Sequence, residues 1–423
     1  MPIRLKAKYA FPLVSMLIPL CSAVLTAQEN GLCFECHNDP GLTSGTGDSL
    51  YVDSERYAAS VHGRMELECI DCHQDLAGFE DWPHPRRLER VDCGVCHDEP
   101  MSEWETGVHG LPARQRNDLD AAGCEDCHGS HYILPADDPA SRVYPSNLPH
   151  TCLSCHGDTR LEGKHEGMGQ AEKAVSYLNS AHGQALEKRG LIVSATCSSC
   201  HGSHKISPLT EFDLQIPKIC GNCHGPIYHD YLQGVHGSEY LQGNADVPIC
   251  TDCHGEHNIL GPDNPESRVN PRQVGAVCSR CHEDKSLSSK YGLPLGRLDS
   301  YLESYHGVAL ELGDLRVANC ASCHGFHDIR PSSDPESSIY PDNLAGTCGN
   351  CHPNAGENFA VGKIHVQDER KDNLGAWLVK KAYVLFISGL IGGFVAFIIV
   401  DLIAHRRRSR RARKEEDPGE EES

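Results

Sequence analysis

SAHGQALEKRGLIVSATCSSCHGSH, residues 180–204, is the unit from which most of this chain is built. It opens on a His-Gly step at His182, runs through a spacer, and closes on Cys-x-x-Cys-His followed directly by Gly-x-His. The same order returns in GVHGSEYLQGNADVPICTDCHGEH at 234–257 and in SYHGVALELGDLRVANCASCHGFH at 304–327. In each unit a second Cys-x-x-Cys-His follows the first, the two starting 23 to 28 residues apart. Self-similarity of this kind marks a repeat architecture, in which each unit is one local structure stacked on the next.

Working outward, the motif occurs eleven times. The sites are Cys33/Cys36/His37, Cys69/Cys72/His73, Cys93/Cys96/His97, Cys124/Cys127/His128, Cys152/Cys155/His156 and Cys197/Cys200/His201. They continue with Cys220/Cys223/His224, Cys250/Cys253/His254, Cys278/Cys281/His282, Cys320/Cys323/His324 and Cys348/Cys351/His352. These sites use 22 of the 23 cysteines, and the exception is Cys21 near the N-terminus. A disulfide framework does not require this spacing. Structural zinc would not require a histidine after every pair, and neither would thiol redox chemistry. Covalent haem attachment requires all of it: two thiols add to the two vinyl groups of one haem, and the next imidazole lies under the iron as proximal ligand. The expected cofactors are therefore eleven c-type haems, arranged as a leading singlet at Cys33 and five pairs starting at Cys69, Cys124, Cys197, Cys250 and Cys320.

Composition agrees with an interior filled by something other than side chains. Only 6% of the 423 residues are aromatic, against 40 Gly, 25 Pro, 23 Cys and 26 His, and mean hydropathy is -0.42. An ordinary apolar core would be thin, so the apoprotein is not expected to fold without haem. The fold class expected is mainly α with extensive coil: a haem-packed repeat architecture with sparse regular secondary structure, short helical turns at the motifs and Pro- and Gly-rich loops between them. The linkers DDPASRVYPSNLPHTC (137–152) and SDPESSIYPDNLAGTC (333–348) repeat one another as well. The formal charge of -21 excludes a nucleic-acid binder, which needs a basic face. It suits either a docking field for basic partners or plain solubility.

A sixth iron ligand must come from elsewhere in the chain. Beyond the leader, methionine occurs only at Met65, Met101 and Met168, too few for eleven irons. Fourteen non-motif histidines precede residue 376. Nine recur in register: His62, His109, His182, His236 and His306 before Gly, and His131, His204, His257 and His327 three residues after a proximal histidine. His165 in GKHEG and His365 in GKIHV follow the second motif of their units, and His84 in DWPHPRR serves the first pair, where Gln74 and Asp75 replace the Gly-x-His turn. His150 and His229 are weaker candidates. Twelve candidates thus compete for eleven irons, and the Cys278 site, with KYGLP where its relatives carry histidine, and the leading Cys33 site are the first to inspect for an open position.

The ends of the chain speak to location. Arg4, Lys6 and Lys8 precede an apolar stretch at 9–27, the layout of a signal peptide over residues 1–27, with a cut after Ala27 or Ala23. An uncleaved anchor is the alternative, and a lipoprotein site at Cys21 is poor because Leu20 precedes it. Residues 382–400 carry no charge and span a bilayer as a helix. Trp377 and Tyr383 suit one interface, and HRRRSRRARK at 405–414 is a positive-inside signal. The organisation expected is a periplasmic undecahaem domain at 28–375, a transmembrane helix at 376–404 and a cytoplasmic basic and acidic tail at 405–423. A buried core helix is the competing reading of the apolar run.

The His-Gly spacer, CxxCHGxH and second CxxCH resemble membrane-anchored multihaem c-type cytochromes of the doubled-CxxCH kind, from bacterial respiratory electron-transfer chains. The resemblance covers about residues 30–365 and implies packed haem pairs, bis-histidine irons and electron hopping. Bis-histidine ligation lacks the methionine that raises potential, so mostly negative to modest potentials are expected. The function this implies is a periplasmic relay on the bacterial inner membrane. Its partners would be an inner-membrane quinol-oxidising or other oxidoreductase subunit and periplasmic or outer-membrane cytochromes. The C-terminal position of the anchor argues for a separate membrane partner over direct quinol oxidation. An enzyme reducing nitrogen or sulfur compounds at an open haem is the alternative, and the absence of any CxxCK motif weighs against it. A scaffold inserted in an outer-membrane porin fits the helix and basic tail poorly.

Overall fold

The computed structural model describes residues 30–85, 87–116, 118, 120–165, 171–207, 213–360, 364–366 and 374–416. The leader with Arg4, Lys6, Lys8, Cys21 and both cut sites lies outside the described residues, as do Met168 and residues 417–423. Among the described residues the chain is mostly helical with extensive coil and has no strand, only an isolated bridge between Thr43 and Ser49. Two compact units form, Met1–Thr151 with His204–Ile206, and Cys152–Ser203 with Ser207–Ser423.

The apolar core is as thin as composition implies. Leu76, Ala171, Leu186, Ile216, Tyr240 and Leu310 are the buried hydrophobic side chains among the described residues. Polar contacts carry the local structure instead. The first motif of each pair forms a one-turn helix: Cys69–Cys72, Cys124–His128, Cys197–His201, Cys250–His254 and Cys320–His324. Each turn is capped from inside the motif, because the residue before the second cysteine accepts a hydrogen bond from the backbone N–H preceding the first. Asp71 accepts from Glu68 N, Asp126 from Gly123 N, Ser199 from Thr196 N, Asp252 from Ile249 N and Ser322 from Asn319 N, at 2.7 to 3.1 Å. The turns then end on Gly129, Gly202, Gly255 and Gly325, all at φ 85° with ψ near 180°, a region essentially reserved for glycine. That glycine swings the chain so that the histidine two residues on faces away from its own motif. Gln74 stands at this place in the first pair and enters a 3-10 turn, Gln74–Leu76.

The linkers are held by their own repeated polar contacts. Ser141 and Ser337 are buried and donate to the carbonyls of Leu134 and Arg330, while Asn147 and Asn343 donate to those of Pro139 and Pro335. Thr151 and Thr347, one residue before the next cysteine, donate to the carbonyls of Arg142 and Ser338.

At the C-terminus a single helix runs over Leu374–Glu416. Its stretch Trp377–Ala412 is long and apolar enough to cross a membrane, an 18-residue window within it having mean hydropathy 2.5 and none of that window being buried. A core helix of a soluble domain would bury this face; Leu385, Phe386, Phe394 and Phe397 are instead 62 to 79% exposed. The helix is compatible with a single membrane anchor.

Candidate functional site

The His-Gly step begins a short helix whose placement is the same in all five repeats. A backbone glycine is required there by close approach. A Cβ on Gly63, Gly110, Gly183, Gly237 or Gly307 would lie 1.9 to 2.3 Å from the carbonyl oxygen of Tyr57, Trp104, Tyr177, Tyr231 or Tyr301 respectively. In three repeats a serine caps the helix, Ser60, Ser180 and Ser304 accepting from the glycine N–H at 3.0 to 3.2 Å.

The aromatic residue under each glycine has a second task that sequence reading missed. Its side-chain donor reaches the carbonyl two residues before the first motif cysteine: Tyr57 Oη to Leu67 O, Trp104 Nε1 to Ala122 O, Tyr177 Oη to Ala195 O, Tyr231 Oη to Pro248 O and Tyr301 Oη to Ala318 O, at 2.7 to 3.1 Å. Burial, with lesser help from nearby cysteines, pushes Tyr57 and Tyr301 up to about 12, so the phenols remain donors. An aromatic five residues before every His-Gly histidine was visible in the sequence, but Trp104 stands for tyrosine in one repeat and only the shared donor reveals the clamp.

Consecutive repeats dock through the backbone. The N–H of the residue before the His-Gly histidine donates to the carbonyl two residues beyond the Gly-x-His histidine of the next repeat: Val61 to Ile133, Val108 to Ile206, Ala181 to Ile259 and Val235 to Ile329, at 2.7 to 2.9 Å. Each Gly-x-His turn is thereby carried back onto the preceding repeat.

The outcome for the histidines is a set of facing rings. Ring centres lie 6.0 Å apart for His37 and His84, 6.2 Å for His73 and His131, 6.1 Å for His97 and His62, and 6.1 Å for His128 and His204. They lie 5.9 Å apart for His201 and His257, 6.2 Å for His224 and His182, 6.1 Å for His254 and His327, and 6.2 Å for His282 and His236. The last two pairs are His324 with His365 at 6.3 Å and His352 with His306 at 6.1 Å. Each pair joins one motif histidine to one histidine outside the motifs. Two imidazoles bound through nitrogen to one metal, each bond about 2 Å, stand with ring centres about 6 Å apart. Ordinary ring contacts scatter over about 4.5–7 Å, so recurrence within a few tenths of an ångström points to a common central atom.

The donor chemistry fits. His37 Nδ1 lies 2.8 Å from Leu50 O and His84 Nδ1 2.8 Å from Pro85 O. A carbonyl can only accept, so both rings hold the proton on Nδ1 and leave Nε2 as a free lone pair. His365 Nδ1 meets Ser300 Oγ at 2.8 Å and His204 Nδ1 lies 3.5 Å from a Glu103 carboxylate oxygen. Burial, reinforced by the facing ring, lowers the pKa of His62, His131, His182, His201, His254, His306 and His324, and takes His236 down to about 4. Neutral imidazole is the ligating form.

Both sites singled out for an open position face a second imidazole, His84 for Cys33 and His236 for Cys278. His236 lies before its own pair of motifs and faces the second of them, which is why the missing histidine in KYGLP leaves no gap. His165 follows the helix Thr159–Glu162, its N–H bonded to Leu161 O. His150 lies on the helix Leu148–His156, and His229 on Gly225–Gln233, where Gln233 Nε2 is 3.1 Å from its Nδ1.

The motifs also neighbour one another in chain order. The leading thiols pair as Cys33 with Cys69, Cys93 with Cys124, Cys152 with Cys197, Cys220 with Cys250 and Cys278 with Cys320. Within the repeats Cys72 interacts with Cys93 and Cys96, Cys200 with Cys220 and Cys223, Cys253 with Cys281, and Cys323 with Cys348 and Cys351. Each unit therefore holds an unbroken succession of motifs.

The second thiol of a motif is not equivalent from site to site, a difference that the uniform spacing does not predict. Cys36, Cys72, Cys96, Cys223 and Cys351 are exposed, whereas the leading thiols of the same motifs are half-buried; Cys127 and Cys155 are half-buried like their leading partners. Local backbone explains the contrast. Cys127 and Cys155 lie inside the helices Cys124–His128 and Leu148–His156, with Ser154 Oγ 3.9 Å from Cys155 Sγ. Cys36 lies on the last turn of the helix Asn30–His37. Cys96, Cys223 and Cys351 follow the tight turns of second motifs, their N–H donating to the carbonyl of Cys93, Cys220 and Cys348 at 3.2 to 3.3 Å. None of the described cysteines forms a disulfide. Cysteine is otherwise among the most buried residue types, so thiols left open by the polypeptide suit a covalent partner that covers them.

Comparison with known proteins agrees with this construction. Residues 61–157 match the family described as Cytochrome c3. The cytochrome c-type protein NrfB of Haemophilus influenzae is 23% identical over 172 residues, 37% of this chain and 63% of that protein, so the match spans less than two thirds of its relative. No solved structure matches. The chain is thus similar to multihaem c-type cytochromes, in keeping with its repeated Cys-x-x-Cys-His motifs.

Proposed function

We propose that this chain is a membrane-anchored electron relay carrying eleven covalently attached haems, each iron held between two histidines. The single observation that carries the reading is the set of ten facing histidine pairs given by the described residues, every one joining a motif histidine to an outside histidine at 5.9 to 6.3 Å. Bound at these sites, c-type haem supplies one-electron cycling of iron.

The pairs follow two rules of register. A His-Gly histidine serves the second motif of its own repeat, and a Gly-x-His histidine serves the first motif of the repeat before; His84 and His365 take the latter part at the two ends of the array. His109 joins the ligand set by its place before Gly110 in the same register. Eleven distal ligands result, His62, His84, His109, His131, His182, His204, His236, His257, His306, His327 and His365, and His165 falls outside both rules. The chain's own contribution is positional. Cysteines fix each group through two thioethers, the exposed Cys36, Cys96, Cys223 and Cys351 as much as the half-buried Cys127 and Cys155. Two histidines at each site would hold the iron and leave no room there for substrate, and successive motifs abut in chain order within each unit. Closed positions favour relay over catalysis.

With the leader cleaved and the helix as a stop-transfer anchor, residues 28–375 face the periplasm and 405–423 the cytoplasm. The partners are then an inner-membrane oxidoreductase subunit, quinol-oxidising or other, and periplasmic or outer-membrane cytochromes. Intact mass and pyridine haemochrome assay of the detergent-solubilised holoprotein are expected to give eleven haems per chain. Fewer than eleven, or substantial carbon monoxide binding after reduction, would overturn the assignment.

A further inference from the structure

The ten histidine pairs divide into two groups by the angle between ring planes. Where the outside histidine comes from a Gly-x-His turn, or from His84 or His365 in its stead, the rings are close to parallel. The angles are 6° for His37 and His84, 33° for His73 and His131, 24° for His128 and His204, 13° for His201 and His257, 17° for His254 and His327, and 34° for His324 and His365. Where it comes from a His-Gly helix the rings are steeply crossed: 56° for His97 and His62, 52° for His224 and His182, 65° for His282 and His236, and 44° for His352 and His306. The two ranges do not overlap.

The division has a mechanical cause. A His-Gly histidine sits on a helix fixed by the glycine pressed on a backbone carbonyl, by the aromatic clamp to the motif and, in the first four repeats, by the N–H donated to the next repeat. Its ring plane follows the helix. A Gly-x-His histidine is set by a glycine at φ 85° in an otherwise extended turn, so its ring takes a different and equally reproducible plane. First motifs are served by turns and second motifs by helices.

We infer that the chain holds two electronically distinct classes of bis-histidine haem, near-parallel and crossed, which alternate along the relay from Cys69 onward. The inference rests on the reading above that these pairs are axial ligands. An imidazole donates π density into the iron d orbital perpendicular to its ring. Parallel rings load one orbital of the d pair and split it, whereas crossed rings load both and leave them nearly degenerate. By register His109 is a fifth His-Gly histidine, so the ligand set comprises six of the near-parallel kind and five of the crossed kind.

Low-temperature electron paramagnetic resonance of the fully oxidised, full-length holoprotein reads this directly. The expected spectrum has two ferric low-spin components, one rhombic and one highly anisotropic with a large maximum g, integrating near six to five. Replacing His236 by Met should remove about one fifth of the anisotropic component, and replacing His257 by Met about one sixth of the rhombic one, each checked by haem count for complete loading. A single low-spin class with eleven haems present would overturn the two-class inference while leaving bis-histidine ligation intact. High-spin signal in the unmodified protein, or a haem count below eleven, would instead remove the ligand assignment beneath it.

Discussion

The ring of His327 lies 6.1 Å from that of His254 and only 17° from parallel with it, although His327 belongs to the Cys320 motif turn and His254 to the motif of the preceding repeat. Ligation on this pattern links repeats in series, so a change in one repeat reports in its neighbour. His327→Met should alter the Cys250 site and leave the Cys320 site bis-histidine. Methionine ligation raises potential. Potentiometric titration should show one of eleven components moving upward, and its paramagnetic signal should be lost from the rhombic component; no displaced component would count against linkage in series.

Gly237 sits 2.0 Å, measured from a virtual Cβ, from the carbonyl oxygen of Tyr231. Gly237→Ala therefore has to push apart two backbone segments, an overpacking cost of about 1–3 kcal/mol or above. Tyr231→Phe removes one hydrogen bond to Pro248 O, worth about 1 kcal/mol. Thermal unfolding of the two holoproteins should rank the alanine variant as the less stable, and the reverse order would deny the close-approach role of this glycine.

Gly255 has φ 85° and ψ 179°. Gly255→Ala places a Cβ in a region that costs about 1–3 kcal/mol, and the relaxed turn withdraws His257 from His201. The signature is a new high-spin fraction equivalent to one haem in eleven, at the Cys197 site rather than at Cys250. A spectrum unchanged from the parent would show that the turn does not position His257.

Six buried apolar side chains among the described residues cannot hold a domain of this size together. Chain produced without haem maturation should show little near-ultraviolet circular dichroism and rapid proteolysis, with the matured protein resistant under the same conditions. A compact, protease-resistant apoprotein would mean that backbone links between repeats suffice.

Ending the chain after residue 373 removes the exposed apolar helix. Haem content should be unaffected, while the protein should move from the membrane to the soluble fraction on cell fractionation. Retention in the membrane would require a second anchor.

The motif occupies five consecutive residues, so its eleven occurrences from Cys33 to His352 and the attachment chemistry proposed for them come from spacing alone, and the thinness of the core was legible from composition. The recurring histidines were visible too. Which histidine faces which was not, because His131 and His73, or His236 and His282, meet only through packing of segments far apart in the chain, and a backbone hydrogen bond such as Val61 to Ile133 carries no mark in residue type. The same holds for exposure: Cys36 and Cys127 share one motif, and only the surrounding chain leaves the first open and half-buries the second. The in-motif caps Asp71 and Ser199 and the clamps Tyr57 and Trp104 escaped notice for a related reason: different residues meet the same hydrogen-bonding need. Residue order thus decided the cofactor chemistry and the repeat, since both are local. Tertiary structure alone decided the pairing and ring angle of the ligands, since both depend on how one repeat's backbone docks on the next.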